Sequence, residues 1–151
     1  MAQALFANQR EANLQSIVAL VETVIGQLGY PTKPITEPNA QRGWQLAKGS
    51  ATAKITIVDR TDFTHLRVCA VVMTLDAKVD RPALHAHLLD LNATLCGSAF
   101  ATSGDHVLLL SERSTLDLDQ SEVHDAITRV TETADDHDDV LVARYGGRIG
   151  G

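Results

Sequence analysis

The run Val107-Leu108-Leu109-Leu110 follows almost directly on the turn-forming Ser103-Gly104-Asp105. Four consecutive apolar residues beside a tight turn put apolar side chains on both faces of one strand. With Ala99-Phe100-Ala101 on the other side of the turn, the pair reads as a β-hairpin. A strand that is apolar on both faces has to be covered on both. Residues 65–75 repeat the signature, because Val68, Cys69, Ala70, Val71, Val72 and Met73 show no alternation. Two such strands in a small sheet point to cover beyond one layer of helices, that is, to a dimer interface or a partner site.

The remaining elements follow from periodicity. From Asn8 to Leu28, the residues Leu14, Ile17, Val18, Val21, Val24, Ile25 and Leu28 recur at spacings of three and four, one stripe of an amphipathic helix that Gly29 stops. Residues 31–42 hold three of the four prolines and read as an exposed connector. Trp44 and Leu46, then Ala53, Ile55 and Ile57, alternate with polar residues about the turn Gly49-Ser50, which predicts two paired strands. Asp59 to Thr64 reads as the loop to the third strand. Asp80-Arg81-Pro82 opens a second helix whose stripe is Leu84, Leu88, Leu91 and Leu95, with Gly97 as its stop. Asp119 with Glu122 forms a capping-box start for a third, along which Val123, Ile127, Val130, Ala134, Leu141 and Tyr145 share a face. A bend is expected near His137 or Asp138, where that stripe is polar, and Gly146-Gly147 stops the helix. The order α-β-β-β-α-β-β-α, with short turns between consecutive strands, predicts a single α+β domain over residues 1–151 with an antiparallel sheet.

Charge is informative by segment. Residues 1–111 carry nine acidic and nine basic side chains, whereas residues 112–151 carry ten acidic and four basic ones and so the whole net charge of −6. An acidic terminal element argues against nucleic acid as a partner. No window approaches roughly 18 uninterrupted apolar residues, so no membrane partner is expected, and the opening residues lack the pattern of a secretory leader. Cys69 and Cys96 sit among apolar neighbours and read as free, buried thiols of a reducing, cytoplasmic compartment.

No stretch of the chain carries a recognisable catalytic signature. The run Asp135-Asp136-His137-Asp138-Asp139 invites a metal-dependent reading, with Asp135, His137 and Asp139 as candidate ligands of a regulator or enzyme. A calcium loop, however, needs alternating ligands, a central Gly and a terminal Glu, none of which is in place. His85 and His87 are two apart and diverge on a helix, where zinc asks for a spacing of about four. Gly97-Ser98-Ala99 follows a helix and is no nucleophile elbow. The expectation is no catalytic residue, no metal and no cofactor. The closing Arg148-Ile149-Gly150-Gly151 follows a long helix, unlike the di-glycine tails of β-grasp proteins, and reads as a flexible terminus.

The order of elements resembles the type III secretion chaperone-like fold, and the C-terminal half is similar to the bacterial YbjN-type family. Leu88-Leu89-Asp90-Leu91-Asn92, Ala99-Phe100-Ala101, Gly104-Asp105, Leu116-Asp117-Leu118-Asp119, Ala134-Asp135 and Tyr145-Gly146-Gly147 carry the likeness, which covers roughly residues 85–147. The resemblance implies an α+β homodimer that binds protein segments, as a chaperone or regulatory adaptor, and no enzyme. Leu88, Leu91, Leu95 and Phe100 are the residues expected to serve the core or the dimer and partner interface.

Overall fold

The computed structural model describes residues 2–61 and 63–151, with side chains from residue 9 onward; Asp62, in the expected loop 59–64, lies outside the described residues. The elements are α1 (Ala2–Leu28), β1 (Thr32–Ile35), β2 (Ala40–Lys48), β3 (Ala51–Asp59), β4 (Thr64–Thr74), α2 (Arg81–Asn92), β5 (Ala99–Ser103), β6 (His106–Ser114), α3 (Gln120–Tyr145) and β7 (Arg148–Ile149). The strands form one antiparallel sheet in the order β1-β2-β3-β4-β6-β5, with β7 on β4. This is the expected α+β architecture with two short strands added.

Both additions correct the sequence reading. β1 lies inside the proline-rich stretch taken for a connector, with Thr32 opposite Leu46 and Pro34 opposite Trp44. It is an outermost strand, the position in a sheet where proline is tolerated. β7 lies in the tail expected to be flexible. It pairs with β4 at Met73 and Thr74, beyond the last β3 pair, Ala53↔Ala70. Gly150 N–H donates to Val72 O, and Thr74 Oγ1 donates to Gly150 O at 2.6 Å. The tail is pinned because Gly147, at φ 81°, brings its Cα to the Thr74 carbonyl, so close that a Cβ would sit 2.5 Å from that oxygen.

The three helices share one face of the sheet. Register puts Trp44 and Leu46, Ala53, Ile55 and Ile57, Leu66, Val68 and Ala70, Leu109 and Phe100 in one phase, and all of them are buried. α3 lies along β4 and β6 on that face, with α1 beside it. Its stripe of Val123, Ile127, Val130, Ala134 and Leu141 is buried, as its spacing predicts. The capping box forms in full, with Asp119 accepting from Glu122 N–H and Glu122 accepting from Asp119 N–H. α3 runs uninterrupted from Gln120 to Tyr145, His137 and Asp138 included. The polar step on its stripe is met by Ser50 of the β2–β3 turn, whose hydroxyl lies 2.6 Å from Asp138 and 3.0 Å from Asp135. α2 is capped by Asp80, which accepts from Ala83 N–H, but it ends at Asn92 and not at Gly97.

Candidate functional site

Alternation leaves the second face of the sheet without a helix. In the opposite phase to the core stand Cys69 and Val71 of β4, Leu108 and Leu110 of β6, and Ala99 and Ala101 of β5. Register sets them side by side as Cys69↔Leu110↔Ala99 and Val71↔Leu108↔Ala101. All six are half-buried within the single chain. The failure of alternation that marks β4 and β6 in the sequence is therefore an uncovered apolar strip, three strands wide. Apart from the tail, whose Gly151 lies beside Val71, the chain's own described residues do not supply the cover that the sequence calls for on this side.

Charged groups rim the strip. Arg67 of β4 stands opposite Glu112 of β6, and its Nη1 donates to Oε2 at 2.6 Å. Arg60, from the β3–β4 loop, donates to the same carboxylate through Nε at 2.6 Å and Nη2 at 2.8 Å. The Arg60 hydrogen bonds, joined by that of Arg67 and opposed by partial burial, hold the Glu112 carboxyl down at about 2. Cys69, inside the strip, has its thiol pushed up by burial against the pull of Arg67 and Lys54; it is half-buried, and Cys96, expected to be buried, is exposed just past the end of α2. At the opposite end the tail pairs with β4, and Gly151 lies beside Val71 and His106.

The four apolar residues expected at an interface divide by depth. Leu88 and Phe100 are 4% and 6% exposed and belong to the chain's own core. Leu91 and Leu95 are half-buried against that core and retain some surface. Leu89, off the stripe, is the most exposed large apolar residue of α2 at 70%. Spacing alone does not separate these depths, because a helix resting at the margin of a sheet turns only part of its stripe inward.

One polar residue acts in a way that its local sequence does not announce. The Asn92 side chain accepts from Phe100 N–H at 2.7 Å and donates to Phe100 O at 3.1 Å. It takes up both outward main-chain groups of Phe100 as a neighbouring strand would, blunting the outer edge of β5. Ending α2 at Asn92 frees that residue for the task.

The acidic segment does not assemble a metal centre. Asp135 and Asp138 turn to Ser50, while His137 Nδ1 lies 2.8 Å from Thr133 O and its ring meets Phe100 edge-on at 5.5 Å. Asp139 is exposed. Among the described residues no three His, Cys, Asp or Glu side chains converge as metal ligands. A solvent-open cavity of about 520 Å³ lies instead where β6 meets the start of α3, lined by Gly97, Ser111, Arg113, Ser121, Glu122 and Asp125 among others. No described helix is long and apolar enough to cross a membrane.

Comparison with known proteins agrees with this architecture. Residues 15–149 match the family described as T3SS (YopN, CesT) and YbjN peptide-binding chaperone 1. No curated protein matches the chain in sequence. Among solved structures, the ExsC–ExsE complex is similar at 13% identity and TM-score 0.56, covering 84% of this chain and 94% of that one. The HopA1–SchA chaperone–effector complex is similar at 12% identity and TM-score 0.57, covering 85% and 97%. An uncharacterized protein from Methanothermobacter thermautotrophicus gives 11% identity and TM-score 0.60, covering 85% and 98%. At such identities the likeness is one of fold.

Proposed function

The chain belongs to this family of peptide-binding chaperones, and from that premise we propose that it is a non-enzymatic, homodimeric module that holds segments of other proteins, as a chaperone or a regulatory adaptor. The observation that carries the reading is the uncovered strip of Cys69, Val71, Ala99, Ala101, Leu108 and Leu110. A contiguous apolar surface with a charged rim is the anatomy of an association site. Two copies meeting face to face would cover it. Leu91 and Leu95 are the members of the expected helical set with surface left to contribute, while Leu88 and Phe100 support the fold beneath them.

The partner class is protein. The acidic balance of residues 112–151 disfavours a polyanion such as nucleic acid and a negatively charged membrane surface alike. Two free cysteines suit a reducing cytoplasm. Affinity capture from the native host, followed by mass spectrometry, tests the reading: a fixed stoichiometric partner marks an adaptor, and several partly unfolded clients mark a chaperone. Capture of nucleic acid, with no protein retained at moderate salt, would contradict both.

A further inference from the structure

Beyond the pair Ala53↔Ala70, β3 no longer covers its side of β4, and the tail takes its place. β7 pairs there through two residues only, Met73↔Ile149 and Thr74↔Arg148. Gly150 N–H adds a bond to Val72 O at 3.0 Å, and Thr74 Oγ1 donates to Gly150 O at 2.6 Å. Val72, Met73 and Thr74 are all buried. Without the tail, this stretch of β4 is a sheet edge with main-chain groups turned outward and apolar side chains around it, a template for an added strand.

The tail is held lightly. Arg148 is exposed and Ile149 is 37% exposed. Gly146 and Gly147, at φ 85° and 81°, separate β7 from α3, and the last turn of α3 is already closed by Gly146 N–H on Val142 O. Release of the tail therefore leaves the helix intact. A two-residue ladder at the end of a described chain lies at the low end of local stability, where opening is frequent.

The tail also displays what the site accepts. Met73 lies opposite both Val107 and Ile149, so Ile149 is in phase with the helix side and the margin of the core. Gly150, at φ 65°, then turns the chain before it meets the start of β3. A Cβ on Gly151 would come 3.0 Å from Val71 Cγ1 and 3.5 Å from His106 Cε1. An occupant of this line must offer an aliphatic residue followed by glycine. Opposite Thr74 the exposed Arg148 shows that the site makes no demand on charge.

We propose that residues 148–151 are a displaceable intramolecular occupant of a strand-docking site on β4. An extended client segment carrying an aliphatic residue followed by glycine takes the site in place of the tail. It makes the bonds to Val72 O and Thr74 Oγ1 that Gly150 makes in the free chain, and its aliphatic side chain replaces Ile149 opposite Met73. The tail thereby sets client affinity, which is reduced by the fraction of chains whose tail is released. The proposal rests on the peptide-binding reading above and deepens it, because main-chain pairing of this kind is one way to hold an extended segment.

The test uses the full chain, amide-resolved hydrogen exchange and a blocked peptide of threonine, valine, threonine, isoleucine and two glycines. A second peptide carries valine in place of both glycines. The first peptide is expected to speed exchange of the Gly150 amide at least tenfold and to shift the resonances of Val71, Thr74 and His106. The second is expected to bind about tenfold more weakly, since it crowds Val71. Gly147→Ala and Ile149→Asp change the tail alone, and each is expected to bind the first peptide about tenfold more tightly, the gain matching its loss of Gly150 protection. Circular dichroism checks that both fold, and either one suffices to decide. Peptide binding with Gly150 protection retained, or folded tail variants that bind no more tightly, overturns the proposal. Gly150 protection that rises with protein concentration marks the tail of a second copy as the occupant and overturns it as well. Reduced, carboxymethylated α-lactalbumin serves as a general unfolded client in a parallel titration. Binding of that client with no response to the glycine peptide overturns the β4 site and leaves the peptide-binding reading standing. Failure of the wild type and both variants to bind either probe overturns both.

Discussion

Glu112 is where the charged rim can be tested most sharply. Its carboxylate takes three charge-assisted hydrogen bonds from two arginines and sits at about 2, against an ordinary value of 4.5. A fall from 4.5 to about 2 corresponds to roughly 3 kcal/mol if it were fully expressed in stability. The Glu112 side chain is 19% exposed but that of Arg60 is 47% exposed, and water screens their attraction; about 1–2 kcal/mol is the realistic share. The folded value is depressed, so this stabilisation is complete above about pH 4.5 and is lost as the pH falls towards 2. Glu112→Gln keeps the shape, removes the charge and turns an amide NH₂ towards a guanidinium. At pH 7 its urea midpoint is expected about 0.5–1 M below that of the wild type, taking a slope of about 2 kcal/mol per molar. The gap should close progressively between pH 4.5 and pH 2, and should narrow at pH 7 in 0.5 M NaCl. Equal midpoints at pH 7, or a gap that stays constant down to pH 2, would refute the assignment of the stabilisation to this carboxylate.

Other expectations concern the edges of the sheet. Asn92→Ala removes both side-chain bonds to Phe100 and leaves two main-chain groups of β5 unpaired; a loss of about 1–3 kcal/mol by urea unfolding, together with concentration-dependent light scattering, is expected. Scattering unchanged from the wild type would show that Asn92 does not protect the edge. Gly147→Ala puts a Cβ 2.5 Å from Thr74 O at a residue with φ 81°, so the tail should detach. Faster hydrogen exchange at the Gly150 amide, which donates to Val72 O, reads this out directly, and wild-type protection there would contradict it. Leu88→Ala, in the core, should cost about 2–5 kcal/mol, whereas Leu89→Ala should stay within about 0.5 kcal/mol; the reverse order would mean that α2 is seated differently.

The parts of the fold that depend on local periodicity could be read from the residues in order. The stripes of α1 and α3, the capping pair Asp119 and Glu122, and the hairpin about Gly104 all belong to this class. So does the uncovered face, because Cys69, Val71, Leu108 and Leu110 break alternation in the strands where the strip lies. What stayed hidden is non-local. β1 and β7 exist because neighbours offer them a register, against local signals of proline and glycine that speak for loops. The contact of Asn92 with Phe100 is a side chain standing in for a strand, and nothing at Asn92 itself indicates it. Division of the α2 stripe into buried Leu88 and half-buried Leu91 likewise depends on how the helix rests on the sheet. The acidic run looked ligand-like because proximity in sequence says nothing of Ser50, which approaches from the β2–β3 turn to meet two of its carboxylates.

The open face of the sheet is the surface through which this chain is proposed to associate. Sedimentation equilibrium at micromolar concentration, on the wild type and on Leu110→Lys, tests it most directly. Leu110 is half-buried in the strip between Cys69 and Ala99, so a lysine there can reach solvent in a single chain but not beneath a partner. The wild type is expected at twice the chain mass and the variant as a folded species of one chain mass, with unchanged far-UV circular dichroism. A wild type of one chain mass, or a variant that keeps the doubled mass, would contradict it.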